Sequence, residues 1–301
     1  YTPLVSSSLR KDGLPDIFID KHFHERAAVS GNRLGKLSRI AQLLSVLFLG
    51  IPSSVYAQDG VENIVQDSTW STDTVLNNKA WVNSNHTLEN GSSVSFNTQL
   101  SSSVNRNYPK IVGQTEGVIA ILANSADKPV NITGTANGDG KLPVVRVTNQ
   151  GNEYYRIVDM GSEVAANYSI ASYGENALIA IRDVNLDLDH VAEGMQVAKG
   201  GKITVDNDFI KITADHSDAL QHHALNAQDG GEINIRSKSV ELTVSGKSTE
   251  NNDPYTVFSS GIHTTYGGSI KVHADNILSI TVDTVNTAND YAQNYGVYTL
   301  G

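Results

Sequence analysis

The residues best suited to chemistry lie together in one short polar segment. Asp215-His216-Ser217-Asp218 is followed closely by His222-His223. Carboxylate and imidazole side chains at such spacing are candidate ligands for a metal ion. His216, His222 and His223 are therefore candidate metal ligands, although nothing in the sequence fixes how their side chains are oriented. The alternative is a solvated loop between strands, which needs no metal.

A second group of polar side chains follows an alternating pattern. Asn185, Asp187 and Asp189 are predicted to share the outer face of one strand, with the apolar residues between them facing inward. Together with His190, the two carboxylates resemble those that bind calcium in pectate-lyase-type β-helices. Asp187 and Asp189 are therefore candidates for holding calcium or for acting as an acid/base pair on a glycan. The alternative is the solvated side of an ordinary strand.

Several well-defined chemical motifs do not occur. The calcium-binding repeat of toxin-type β-rolls needs Gly-Gly-x-Gly-x-Asp, and this chain has Ile203, Ile233 and Ile270 at the position of the third glycine. No Gly-Asp-Ser-Gly nucleophile segment, phosphate-binding loop or dinucleotide fingerprint is present either. We therefore expect no cofactor, no resident metal and no catalytic residue in this chain.

The architecture is predicted by a repeated phrase, a tetrapeptide that begins with a small residue and an apolar one and is followed by a pair of glycines. The phrase begins at Gly194, Ala224 and Gly261, and in each copy the first glycine of the pair comes six residues later. The pairs are Gly200-Gly201, Gly230-Gly231 and Gly267-Gly268. A fourth copy opens at Gly296, close to the end of the sequence at Gly301. A repeat of this length is typical of a stacked architecture.

The third copy defines the repeating unit. Residues 261–265, 269–274 and 278–282 are predicted to be three short strands, in which apolar and polar residues alternate with period two. Three strands joined by turns predict one turn of an all-β, right-handed parallel β-helix. Each glycine pair is expected at a corner, because glycine tolerates a positive φ without a Cβ clash. Residues 215–223 and 247–256 are predicted to be loops that project from one corner.

The pattern is looser earlier in the chain. Ala177-Leu178-Ile179-Ala180 resembles the start of the phrase, and we place the repeats at residues 116–301. Residues 58–115 contain short alternating runs separated by turn clusters. A stacked protein needs an atypical terminal unit to cover its open end, so residues 58–115 are predicted to be a β-rich N-terminal cap.

Residues 33–57 have the features of a secretory signal peptide. A basic segment precedes an apolar run from Ile40 to Ile51, and Val55-Tyr56-Ala57 supplies small residues at the cleavage positions. We predict cleavage between Ala57 and Gln58. The apolar run is shorter than the roughly 20 residues that a membrane-spanning helix needs, and the alternative is a buried core helix. Residues 1–32 are interpreted as a leader extension without an assigned fold.

The charge balance restricts the possible partners. The whole chain has a net charge of −10 and no cysteine, so neither disulfides nor thiolate metal sites can form. Residues 58–301 hold 15 Lys/Arg and 28 Asp/Glu, a net charge of −13. An acidic surface favours solubility and disfavours nucleic acid, whose phosphates need basic contacts.

The predicted signal peptide, the acidic cysteine-free composition and the Gly-Gly-x-Ile-x-Val repeats together resemble the passenger region of a bacterial autotransporter. The resemblance covers residues 33–301. It implies a Gram-negative cell, export through the inner membrane, display at the cell surface or release, and a C-terminal outer-membrane barrel. We expect that barrel to be encoded beyond Gly301, because the sequence stops within a repeat.

The function expected from these features is structural and adhesive, without catalysis. Stacked repeats would present polar faces and corner loops to host glycans, to matrix proteins or to sister cells. Stacking of each repeat on the last could also drive export, and a charged residue at Ile270 or Val272 is predicted to stall display. Two alternatives remain open: a polysaccharide lyase or glycoside hydrolase on the same fold, and an exoprotein of a two-partner secretion system.

Overall fold

The computed structural model describes residues 8–9, 15–16, 61–98, 119–149, 168–191, 193–217, 221–248, 257–286 and 292–300. The chain divides into two compact units, Tyr1–Leu49 and Gly50–Gly301. In the first unit the described residues form one antiparallel pair, β1 (Ser8–Leu9) with β2 (Pro15–Asp16). The predicted signal peptide and its cleavage site lie outside the described residues. The described part of the chain has no helix long and apolar enough to cross a bilayer.

The second unit is all-β, and all of its described strand pairs are parallel. Its strands form an eight-stranded sheet, here called sheet 1, and an eleven-stranded sheet, here called sheet 2. Sheet 1 contains β3 (Glu62–Ile64), β6 (Lys79–Val82), β9 (Ile121–Ala123), β12 (Tyr168–Tyr173), β15 (Glu193–Ala198), β17 (Gln221–Gln228), β19 (Val257–Thr265) and β21 (Ala292–Leu300). Each of these strands pairs with the next one in this order.

Sheet 2 has two arms that meet in its longest strands. The first arm contains β4 (Ser68–Trp70), β7 (His86–Leu88), β10 (Val130–Gly134) and β13 (Leu178–Arg182). The second arm contains β5 (Thr74–Asn77), β8 (Ser93–Thr98), β11 (Val144–Asn149) and β14 (Asn185–Val191). The long strands that join the arms are β16 (Lys202–Ser217), β18 (Glu232–Ser248) and β20 (Ser269–Asn286). We call one strand of sheet 1 and the following strand or strands of sheet 2 a rung.

The sequence predicts that the second and third strands of each repeat are separate, and this prediction is wrong for the later rungs. β16 pairs with β13 through Lys202–Asp206 and with β14 through Ile210–Ala214, so one continuous strand replaces two. In the earlier rung Asp183 lies between β13 and β14 with a φ of 55°, which interrupts the extended backbone. At the equivalent bend in β16, Asn207 stays paired with Ser237 of β18, so the ladder continues across it.

Pairing also fixes the phase of the earlier repeats. Leu178 pairs with Lys202, so Ala177-Leu178-Ile179-Ala180 corresponds to the strand after the glycine pair and does not begin the phrase. The position equivalent to Gly194 in that rung is Ser169, because Ile170 pairs with Met195. The strands described within residues 61–98 continue the same two sheets: β8, for example, pairs in parallel with β11. The predicted boundary at residues 115/116 lies outside the described residues.

The two glycines of each pair have different roles. Lys199 (φ 54°) and Gly200 (φ 77°) are the central residues of a tight turn closed by a 3.1 Å hydrogen bond from Gly201 N to Ala198 O. Two successive positive φ values define a type I′ turn, which explains the first glycine. A Cβ on Gly201 would lie 2.3 Å from the carbonyl oxygen of Ser172 in the preceding rung. The second glycine is therefore required by close backbone approach rather than by φ.

The main core is an apolar column lined by residues of both sheets, and a smaller separate cluster includes Val82 and Leu122 of sheet 1. Alternate residues of successive strands fill the column, and Ile203 and Ile233 are completely buried members. In the seventh rung, Ile270 and Val272 pack against this column but are only partly buried. Because apolar residues alternate with polar ones along each strand, the same pattern that builds the column places rows of polar side chains on the outer faces.

Candidate functional site

The predicted carboxylates of β14 make ion pairs with neighbouring strands. Burial along Asn185–Val191 alternates as predicted, with Asp187 and Asp189 on the more accessible side. An oxygen of Asp187 lies 3.6 Å from Arg146 Nε, and one of Asp189 lies 3.4 Å from Lys211 Nζ. Both carboxylates therefore face cations of adjacent rungs, an arrangement that stabilises strand pairing modestly.

The histidine-rich segment is split between the two sheets. Asp215, near the end of β16, contacts His190 Nδ1, and this hydrogen bond raises the pKa of His190. His223 lies in sheet 1, where its Nδ1 is 2.8 Å from Ser260 Oγ. Asp218 and the side chains of His216 and His222 lie outside what the structure describes. Within the described residues, no three His, Asp or Glu side chains come together as a metal-ligand set.

A concave groove runs along the outer face of the first arm of sheet 2. We call it the groove face; it encloses about 500 Å³ and crosses β10, β13, β16, β18 and β20. Strand register arranges its polar side chains in two rows. One row contains Asn131, Ala180, Thr204, Asn234 and Lys271, and the other contains Thr133, Arg182, Asp206, Arg236 and His273. Each row crosses five successive rungs.

Two arginines on the groove face have no acidic partner. Arg182 and Arg236 are exposed, lie on either side of Asp206 in the same row, and make no ion pair or side-chain hydrogen bond with any described residue. Lys271, in contrast, lies 3.3 Å from Glu232 Oε1. The groove thus presents two guanidinium groups to solvent, and a guanidinium can bind a carboxylate through two parallel hydrogen bonds.

A second polar row, here called the polar ladder, lies on sheet 1 on the side away from the core. Its members are Tyr168, Tyr173, Glu193, Gln196, His223, Asn226, His263 and Tyr298. A Cβ on Gly194 would lie 2.8 Å from the side chain of Ile212, so Gly194 faces the core and Glu193 faces away from it. Nevertheless Glu193, Gln196, His223 and Asn226 are all less than 5% exposed.

The members of the polar ladder are joined by hydrogen bonds and ring stacking. Asn226 Nδ2 donates to the Tyr168 hydroxyl at 2.8 Å, and Asn226 Oδ1 lies 3.2 Å from His263 Nδ1. The His263 ring stacks on His223 with centroids 4.2 Å apart and on Tyr298 at 5.3 Å. Tyr173 donates its hydroxyl hydrogen to Gln196 Oε1. Contacts between successive rungs, and the Asn226–Tyr168 bond between rungs two apart, therefore connect members of the ladder along the stack.

Burial changes the protonation of the polar ladder. It raises the pKa of Glu193 to about 8, although a hydrogen bond from Tyr168 opposes this, and Glu193 Oε2 has no hydrogen-bond partner. Burial lowers the pKa of His263 to about 4, so this imidazole is neutral near pH 7. The pKa of Tyr168 is raised well above its usual range, also mainly by burial. Glu193, His263 and Tyr168 are therefore mainly neutral between about pH 4 and pH 8.

The alignment of the groove arginines follows from the repeat, but the sequence analysis does not predict a site there. In Lys202-Ile203-Thr204-Val205-Asp206 every second residue points outward, and register carries the Asp206 position to Arg182 and Arg236. Aligning the outward positions of successive repeats would have put these residues in one row. No short motif distinguishes them from ordinary solvated charges.

Comparison of the chain with protein-family models, with curated proteins and with solved structures finds no match. The candidate functions are therefore argued from the geometry of the groove face and of the polar ladder and from the sequence.

Proposed function

We propose that this chain is a right-handed parallel β-helix that works as an exported structural and adhesive module. Supporting this fold, the strands of sheet 1 pair in chain order through all eight described members. The apolar column continues through the successive rungs, and the repeated I′ turns at Gly200, Gly230 and Gly267 join the sheet 1 strand of a rung to its sheet 2 strand. Each rung then serves as the template for the next.

The observation that carries the adhesive function is the aligned groove face. A rigid stack repeats its outward side chains at about the strand spacing of 4.8 Å. Such a periodic surface fits an extended polymer better than a small molecule, because successive units of the polymer meet side chains at equivalent positions of successive rungs. A glycan or an extended matrix protein on another cell is the proposed partner, and the ion-paired second arm supports the scaffold.

Export to the cell surface is part of this proposal. It is supported by the order of basic segment, apolar run and small residues in residues 33–57 and by the acidic composition of residues 58–301. We further propose that stacking assists the release of the chain outside the membrane, because each buried rung stabilises the one before it. Ile233 is a better position than Ile270 or Val272 for testing the role of stacking in export, since its side chain is completely buried.

The experiment is expression of the complete gene that encodes this chain in a Gram-negative host, with surface exposure measured by antibody labelling and attachment measured on epithelial cells and matrix-coated plates. The unaltered chain should be exposed and should increase attachment. Ile233→Lys, which buries a charge in the column, should abolish both, whereas Asn234→Lys on the adjacent outward position should retain exposure.

Two outcomes would contradict the proposal. Unchanged exposure and attachment of Ile233→Lys would show that the stack is not needed for either. Release of shortened oligosaccharides from glycans incubated with the purified chain, with or without calcium, would show that the protein is an enzyme.

A further inference from the structure

We propose that the groove face is a binding site for an acidic polysaccharide with a carboxylate on every second sugar. This inference rests on the proposed adhesive function and specifies its ligand. The two unpaired guanidinium groups, Arg182 and Arg236, are the anchors, each binding one carboxylate.

The local charge of the groove is opposite to that of the whole molecule. Arg182 and Arg236 line it together with a single carboxylate, Asp206, and with Lys271, which faces Glu232 beside the groove, whereas the whole chain has a net charge of −10. Exposed cations without an acidic partner are free to pair with a ligand at no cost in broken ion pairs. Charge complementarity therefore favours an anionic ligand at this face and disfavours one elsewhere on the acidic surface.

The spacing of the anchors sets the repeat of the ligand. Arg182 aligns with Asp206, and Asp206 aligns with Arg236, so the two arginines are two strand spacings apart. Two spacings are about 10 Å, which is about the length of one disaccharide. A carboxylate placed opposite Asp206 would be repelled, because like charges in contact disfavour binding. An acidic sugar opposite each arginine and a neutral sugar between them satisfy both conditions.

The neighbouring row supplies partners for hydroxyl groups. Thr204 and Asn234 lie beside Asp206 and Arg236 on β16 and β18. Hydroxyl and amide side chains can both donate and accept hydrogen bonds, as recognition of sugar hydroxyls requires. Nucleic acid fits this face less well, since its closely spaced phosphates need many cations and would meet the acidic remainder of the molecule.

The test measures binding of the full chain to hyaluronan, in which glucuronate alternates with a neutral amino sugar. Comparison ligands are dextran, polygalacturonate and double-stranded DNA, all at low and at high salt. We expect hyaluronan to bind most tightly, with affinity falling as salt rises. The double variant Arg182→Gln/Arg236→Gln should lose at least about tenfold in affinity, because it removes two charge-assisted contacts.

Arg146→Gln is the matched control. It removes the same kind of side chain from the second arm of sheet 2, where Arg146 already faces Asp187, and it should change hyaluronan affinity by less than about twofold. Thermal unfolding of all variants should be indistinguishable from that of the unaltered chain, which shows that lost binding is not lost folding.

Four results would overturn the inference: no binding of hyaluronan, equal binding of dextran, tighter binding of polygalacturonate or DNA, or hyaluronan affinity unchanged in the double variant. Attachment to cells and matrix is measured with the same preparations. If the unaltered chain attaches to cells or matrix but does not bind hyaluronan, only this inference is overturned. If the unaltered chain does not attach at all, the proposed function is contradicted as well.

Discussion

The groove face and the polar ladder are both rows of polar side chains on outer faces of the same stack, but their surroundings differ. Arg182 and Arg236 of the groove are exposed and have no ion-pair or side-chain hydrogen-bond partner among the described residues, whereas Glu193 and Asn226 of the ladder are buried in a bonded network. Buried polar groups contribute to stability when paired and cost free energy when not. We therefore assign binding to the groove and cohesion between rungs to the ladder.

The corner that joins the two faces should give the largest effect. Gly201→Ala places a Cβ 2.3 Å from a carbonyl oxygen of the preceding rung. Relieving this clash requires a shift of the backbone, which costs more than rotation of a side chain. We expect Gly201→Ala to lower the free energy of unfolding by about 3–5 kcal/mol. The matched variant Gly200→Ala meets no atom closer than 3.4 Å and bears only a positive φ, so it should cost about 1–2 kcal/mol. Chemical denaturation measures both, and equal losses would refute the close-approach explanation.

Glu193 should make stability depend on pH. Because burial raises its pKa in the folded state to about 8, from 4.5, the folded state binds more protons than the unfolded one between these pH values. This contribution to stability is therefore present below pH 4.5 and is lost as the pH rises toward 8. Glu193→Gln should raise the free energy of unfolding by about 2–4 kcal/mol at pH 8 and change it little at pH 4.5.

The control for this prediction is Glu241→Gln, which alters an exposed carboxyl on β18. It should leave the pH dependence of denaturation unchanged. A Glu193→Gln variant with the same pH profile as the unaltered chain would show that the Glu193 carboxyl is not desolvated.

Two asparagines of one rung allow the contributions of the two faces to stability to be compared directly. Asn226→Ala leaves the Tyr168 hydroxyl and His263 Nδ1 without their amide partner, and should cost about 1–3 kcal/mol. Asn234→Ala, on the groove face of the next strand, removes one bond to Glu232 and should cost less than about 0.5 kcal/mol. Thermal and chemical unfolding should agree on this order, and the reverse order would contradict the assignment of cohesion to the ladder.

The smallest effect on stability is expected at the groove arginines. Arg182→Gln and Arg236→Gln remove exposed side chains that make no ion pair with a described residue, so each should change the free energy of unfolding by less than about 0.5 kcal/mol. A larger loss of unfolding free energy, measured by chemical denaturation, would mean that these guanidinium groups stabilise the scaffold and are not available to bind a ligand.

The repeat allowed much of this architecture to be predicted. Alternation of apolar and polar residues predicted the strands after each glycine pair and the outward carboxylates of β14, because a strand has a side-chain period of two. It did not fix the phase of Ala177-Leu178-Ile179-Ala180, since two different strands of a rung carry similar apolar alternation. Nor did it reveal that β16 passes its bend without a break.

The polar ladder could not be predicted, for a local geometric reason. Simple alternation puts Glu193 on the same side as Met195 and Val197, which are core residues. In the structure Gly194 also faces the core, so two successive residues point inward and the side on which Glu193 lies is reversed. The histidines predicted as metal ligands are close in sequence to Asp215, but Asp215 lies in β16 of sheet 2 and His223 in β17 of sheet 1.

The most direct test of the division between the two faces is hyaluronan affinity at pH 7, measured for Arg182→Gln/Arg236→Gln and for Glu193→Gln alongside the unaltered chain. We predict at least a tenfold loss for the arginine variant, about the affinity change expected from two charge-assisted contacts, and unaltered affinity for Glu193→Gln. Loss of affinity in Glu193→Gln with full affinity in the arginine variant would contradict the account.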